Sequence, residues 1–256
     1  MIGSAFREWS RLRKERYANI FNKVEAINAA AKCLSLYLES KDARSATSSR
    51  LRAVVIDELV DILDDVNDIF EMLTGTTCRT CIKALEEINT TVYVYALARD
   101  RISNKTNSVS DKERYNGKAD PLEENEDFNL VFKSKMDHYI VNNLSLRRGY
   151  RNSSFKNYPP ASQPSGGLFP ELFGWGWVLP YRSAMVLPIQ QRGASALLPE
   201  VIGCIGFLTV DSAFRGVFRS RFDGPLGASL AETLLLPLYR YVSMIKTADS
   251  EVLPNV

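Results

Sequence analysis

The chain has 256 residues, is 45% hydrophobic and 24% charged, and carries a net charge of +2 from Lys+Arg 32 against Asp+Glu 30. That length suits one large domain or one domain with an appendage, and the near-neutral balance excludes a global drive toward nucleic acid or acidic membranes. No apolar run approaches the ~20 residues needed to span a bilayer. The charged start MIGSAFREWSRLRKERY lacks the apolar core of a secretory signal, so a cytoplasmic location is expected. The four cysteines (Cys33, Cys78, Cys81, Cys204) are too sparse for a disulfide framework.

Phe6, Trp9, Leu12, Ile20, Val24, Ile27, Leu34 and Leu38 recur at helical spacing, which predicts an N-terminal amphipathic helix within residues 1–46. Arg7, Arg11, Arg13, Lys14 and Arg16 at its start read as a solvated face, or as a helix that pairs with a second copy or a partner. Ser40 to Arg50 reads as a break. A second helix runs from Leu51 to Leu73 on the stripe Leu51, Val55, Leu59, Ile62, Val66, Ile69 and Leu73, with Gly75 as its stop. Asp57, Asp61, Asp64, Asp65 and Asp68 make an acidic solvent face rather than a metal site, because no His joins them.

Thr77 to Leu85 and Thr90 to Ala98 read as strands, with Glu86, Glu87 and Asn89 in the turn. Cys78-Arg-Thr-Cys81 lies on the first, where positions three apart point to opposite faces, so its thiols do not chelate one ion. Arg99 to Asp127 is the most polar stretch and reads as a long mobile loop. A short helix around Phe128, Val131 and Phe132 and a short strand from His138 to Val141 follow. His138, the lone histidine, has no visible triad or metal partner.

The stretch from Ser153 to Pro180 mixes Pro and Gly with Phe155, Tyr158, Phe169, Phe173, Trp175 and Trp177. It cannot be a regular helix or central strand, and it is too aromatic for a solvated linker. It either covers a hydrophobic sheet face or forms one wall of a ligand pocket, with Arg182 as a nearby cation for a planar or anionic ligand. Ser183 to Ile189 and Val201 to Val210 are apolar on both parities, as strands covered on both faces are. They read as a hairpin in the middle of a sheet, joined by a long turn. Asp223 and Pro225 open a last helix with the stripe Leu226, Leu230, Leu234, Leu238, Val242 and Ile245, kinked by Pro237 near Leu236.

Four stretches resemble the GAF domain family of sensory modules: Tyr181-Arg-Ser-Ala-Met-Val-Leu-Pro-Ile, the run Val201-Ile-Gly-Cys-Ile-Gly-Phe-Leu-Thr-Val-Asp-Ser, Phe218 with the helix from Asp223, and the long helix from Leu51 leading to Thr77. The resemblance covers roughly residues 48–247. It implies an α+β fold with a central antiparallel sheet of about five to six strands flanked by helices, plus the N-terminal helix. It divides the chain into residues 1–46 for dimerisation or packing, a GAF-like domain over 47–247, and a tail at 248–256. The family's pocket would lie between the sheet and the Phe128 to Trp177 region, with Phe128, His138, Tyr158, Trp175, Trp177, Tyr181 and Arg182 as ligand-binding candidates.

Departures from the family's patterns narrow the ligand. Asp211-Ser212 stand where cyclic-nucleotide binders carry Asn-Lys, Asp223 is one position late and Gly224 replaces a Glu, which disfavours cyclic nucleotides. No cysteine lies next to His138, which disfavours a bilin. The family's free-methionine-sulfoxide reductases use pocket cysteines, and Asn125 to Arg182 contains none, so no enzyme, no catalytic residue and no metal site are expected. No Ser-His-Asp set, phosphate loop, HExxH or paired-acid spacing stands out either. The expected function is a non-catalytic sensory module that binds a small ligand, a protein partner or both, as a homodimer or with a separate effector. Since no output domain follows Ile245, its signal is expected to act in trans. The competing reading is a dimerisation module with no ligand.

Overall fold

The computed structural model describes residues 2–106, 119–147, 149–153, 177, 179–191 and 203–251, with side chains described outside 2–10, 104–106 and 246–251. Helix α1 (Ile2–Glu39) is followed by the short α2 (Lys41–Ser45) and the long α3 (Ser48–Thr74). The expected break at residues 40–50 thus holds a helical turn, because two caps are present. Ser40 Oγ accepts from the Ala43 amide and Thr47 Oγ1 from the Arg50 amide, each satisfying an orphan helix donor. Gly75 ends α3 in the left-handed region at φ 71°, with its N–H bonded to the Glu71 carbonyl at 2.8 Å.

Helix α1 doubles back along α3. Ile20, Ile27, Ala31, Leu34 and Leu38 are buried, and Lys23 pairs with Asp65 and Asp68 at 2.7 Å each. Leu12, Tyr17 and Phe21 are 53–61% exposed. The apolar stripe continues past its partner: Leu12 lies ~16 Å along the axis from Lys23, whereas α3 ends six residues after Asp68, at Thr74.

Among the described residues, six strands form one antiparallel sheet in the order β3-β2-β1-β6-β5-β4. They are β1 (Arg79–Ile88), β2 (Thr91–Arg99), β3 (Asp120–Pro121), β4 (Tyr139–Val141), β5 (Ser183–Ile189) and β6 (Gly206–Ser212). The β1–β2 turn is tighter than the sequence suggests. Glu86 and Glu87 stay in the ladder, and only Asn89 and Thr90 turn, both at positive φ (49° and 68°). Arg99 to Asp127 is not one loop: it contains α4 (Arg101–Thr106), β3, a 3₁₀ turn at Leu122–Glu124 and the start of α5 (Glu126–Ser134), while 107–118 lie outside the described residues. Asp100 organises the start of this stretch by accepting from the Thr80 and Ser103 amides at 2.7 Å.

The final helical region splits into α6 (Asp223–Thr233) and α7 (Leu235–Glu251). Pro237 has no N–H and its ring clashes with the carbonyl four residues back, that of Thr233, so the chain breaks there and Pro237 sits in the first turn of α7, where proline is tolerated. Strand β6 begins at Gly206, later than the apolar run from Val201 implies.

The sheet divides two environments. On one face Ile82, Ala84, Leu97, Met185, Leu187, Ile189, Leu208 and Val210 pack against α1, α3, α6 and α7 in the main core. On the other, Val94, Val186 and Phe207 meet Leu122, Phe128 and Val131, with the Phe128 and Phe207 rings stacked at 5.0 Å. A register shift after Ile82 opposes Lys83 to Ala96 and leaves Leu97 as the extra residue of β2, on the core side. It keeps Cys81 opposite Arg99 and Lys83 opposite Ala96 on the second face.

Candidate functional site

Strand alternation puts Arg79, Cys81 and Lys83 of β1 on the face away from the main core. Antiparallel pairing then sets Arg99 beside Cys81, Thr209 on its other side, and Asp211 beside Arg79. Helix α5 and the segment 149–153 lie over this floor, and Tyr181 closes the side at the start of β5. Between floor and roof is a cavity of roughly 150 Å³, whose wall includes Arg79, Lys83, Arg99, Asp127, Tyr181 and Asp211.

The charges are locally organised. Arg79 Nε donates to Asp211 Oδ1 at 2.7 Å, and its guanidinium lies 5.6 Å from the centre of the Tyr181 ring. Burial raises the Asp211 carboxyl above its ordinary range against the pull of Arg79. Asp127, only 4% exposed, accepts from the Tyr150 hydroxyl at 2.9 Å and the Phe128 amide at 2.9 Å. Burial raises its carboxyl too, with those two hydrogen bonds opposing the shift. Asn152 joins Tyr150 to Tyr181 by donating to both hydroxyls, and burial raises both phenols. Ser153 Oγ donates to Asp120 at 2.8 Å. Lys83 reaches into the same space; burial lowers its ammonium pKa, and Arg99 adds to the lowering while Cys81, Asp120 and Asp127 oppose it. Among the described residues the Lys83 ammonium makes no hydrogen bond and no ion pair.

The seven residues expected at a pocket separate. Phe128 and Tyr181 line the cavity. Trp177 supports it from behind, donating to the Tyr181 carbonyl at 2.6 Å with its ring 6.1 Å from that of Tyr150. His138 lies elsewhere, against Gly224 at the start of α6, where a Cβ would come within 2.6 Å of Nε2. Arg182 is exposed, immediately before β5, with its backbone bonded to Leu144 and Ser212. Tyr158 and Trp175 lie outside the described residues. The two thiols of the Cys78–Cys81 stretch face apart: Cys78 is in the main core, with burial pushing its thiol up to about 11, and Cys81 is on the cavity wall. What sequence reading missed is the floor. Its signal was the polar alternation Arg79, Cys81, Lys83, which resembles a solvent-facing parity until α5 covers it.

No family model and no curated protein sequence matches the chain. Solved structures are similar at low identity. The type II free methionine-R-sulfoxide reductase from Thermoplasma acidophilum is 13% identical, with 74% of this chain and 96% of that one covered and a TM-score of 0.42. The free methionine-R-sulfoxide reductase from Neisseria meningitidis is 14% identical, with 80% and 94% covered and a TM-score of 0.42. The GAF domain of an Acinetobacter phosphoenolpyruvate-protein phosphotransferase is 15% identical, with 84% and 93% covered and a TM-score of 0.39. The expectation that the chain is no enzyme is thereby corrected. Reductases stand among the similar structures, and the premise of a cysteine-free pocket fails because Cys81 reaches the wall from β1, outside the Asn125 to Arg182 stretch. No described helix is long and apolar enough to cross a membrane. The chain has a GAF-like fold, with a charged cavity between its sheet and helix α5.

Proposed function

We propose that this chain is a sensory or regulatory module of the cytoplasm, whose cavity takes a small ligand and whose response passes to a protein partner. The observation that carries this reading is the cost of the cavity wall. Arg79, Lys83, Asp127 and Asp211 are charged or ionisable groups held behind a roof, where desolvation works against each of them. A sheet needing only cover is closed more cheaply with apolar side chains. In this reading Phe128 and Tyr181 form walls of the binding site and Trp177 holds Tyr181 in place. Residues 47–247 act as the sensing unit, residues 1–46 as the connection to a partner, and 248–256 as a tail. Native mass spectrometry of the purified protein, gentle and then denaturing, tests it together with a thermal-shift screen of metabolites. A released small-molecule mass or a saturable stabilisation supports ligand binding; neither result in either experiment overturns it.

A dimerisation role has its own observation. Leu12 is exposed where α1 outruns α3, and Tyr17 and Phe21 are exposed on α1 beside it; apolar residues exposed on one helix in this way suit pairing with a second copy. Sedimentation of the wild type against a Leu12→Lys/Phe21→Lys double variant tests it. A wild-type dimer that becomes monomeric in the variant supports the role, and a wild-type monomer excludes self-pairing.

A further inference from the structure

The cavity's charges are not equally committed. Asp211 is held by Arg79, Asp127 by Tyr150 and the Phe128 amide, and Asp120 by Ser153. Each acid in the cavity therefore already has a donor. Lys83 differs: its side chain lines the cavity, and among the described residues no acceptor reaches its ammonium. Lys83 is half-buried, and an entering anion would give its ammonium a charge-assisted hydrogen bond that no described protein group supplies.

We propose that Lys83 is the anion anchor of this cavity and holds the carboxylate of a small organic acid. The proposal rests on reading the cavity as a ligand site. The groups around Lys83 set the charge of that acid. Cys81 neighbours it on β1, and Arg99 of β2, Asp120 of β3 and Asp127 of α5 act on it, while the Arg79–Asp211 pair lies four residues along β1 in the same cavity. Three acids already share the space with three cations, so a dianion such as phosphate meets more repulsion than a carboxylate does. A cavity of roughly 150 Å³ also restricts the occupant to a small molecule. Binding takes up a proton wherever the empty site has lost one, because the anion favours the charged amine.

Lysine labelled with ¹³C at Cε in the full chain tests this directly, with the Lys83 signal assigned by its absence in Lys83→Met. Acetate, inorganic phosphate and acetamide are the probes. Acetate is expected to move the Lys83 signal saturably and to raise its titration midpoint, with phosphate weaker and acetamide silent. Lys83→Met is expected to weaken acetate binding on the order of tenfold or more, and Lys83→Arg, which keeps the charge, to retain it. The proposal is overturned if acetate leaves the Lys83 signal unmoved, if acetamide binds as well as acetate, if phosphate binds more tightly, or if a folded Lys83→Met variant binds acetate like the wild type. Glycerol, ethylamine and other neutral or cationic compounds, run beside them by thermal shift, separate the two levels. If one of these stabilises the protein while acetate does not, the anchor falls and the ligand reading stands; if nothing binds, both fall.

Discussion

The two faces of the same strands are built on opposite principles. The face under α3 and α6 is mostly apolar, with Leu187, Leu208 and Val210 wholly buried and the hydroxyls of Thr80, Ser183 and Ser212 at its margin hydrogen-bonded to carbonyls. The face under α5 carries Arg79, Lys83, Thr209 and Asp211, interrupted by the apolar pair Val186 and Phe207. Burial is favourable for each group on the first face. On the second it shifts the ionisable groups away from their charged forms, as the lowered Lys83 and raised Asp127 and Asp211 values show. The first face therefore holds the fold together, and the second holds a chemical environment that the first has to support.

Truncating one side chain on each face is expected to have opposite outcomes. Leu187, fully buried and seated beside Gly227, is expected to lose about 2–5 kcal/mol as Leu187→Ala in urea unfolding. Lys83→Met in the same assay is expected to be neutral or to stabilise by less than about 1 kcal/mol, since it removes a half-buried ammonium that no described acceptor holds. If both variants lose comparable stability, the cavity face is structural and the distinction fails.

Arg79→Ala sits between these extremes. It leaves Asp211 without its guanidinium partner, and both side chains keep about a quarter of their surface in water (27% and 23%), which limits the loss to about 1–3 kcal/mol. Asp211→Asn, which removes the charge instead, is expected to cost less. A larger loss from Asp211→Asn would mean the ion pair itself is the stabilising element.

A smaller effect is expected from pH. Burial raises the folded Asp127 carboxyl above its unfolded value of about 4, so the folded state holds that proton more tightly. The ionised group therefore costs stability at neutral pH. The cost is relieved as pH falls through the raised folded value, with nothing more gained below the unfolded one. Lys83 behaves in the opposite sense: its folded value is lowered, so stability rises with pH between that value and the unfolded value near 10.4. Unfolding at several pH values is expected to show wild type gaining on Asp127→Asn toward acid, and gaining on Lys83→Met toward alkali. A pH-independent difference for either variant would show that its group does not titrate as its surroundings imply. The smallest effect belongs to Lys23→Ala. The ion pairs of Lys23 with Asp65 and Asp68 are solvent-accessible, and losing them is expected to cost about 1 kcal/mol or less and to shrink further in high salt.

Local pattern alone determined much of this molecule. The periodicity of 51–73 and the glycine behind it located α3 almost to its ends, because a helix is stabilised by its own stripe and caps. The two-parity apolar run of 183–189 located β5 at its observed bounds, because a strand covered on both faces has no polar parity. Alternation along β1 likewise fixed which residues share a face. Tertiary structure alone decided what each face became. Arg79, Cys81 and Lys83 are the same residues whether water or α5 lies over them, and their roof comes from residues 125–128 and 149–153, with Tyr181 at the side. The same holds for His138, which looks like a pocket residue in the sequence until Gly224, 86 positions later, receives its ring. A strand's spacing fixes parity, whereas the covering of a parity depends on segments far away in the chain, and no local pattern carries that information.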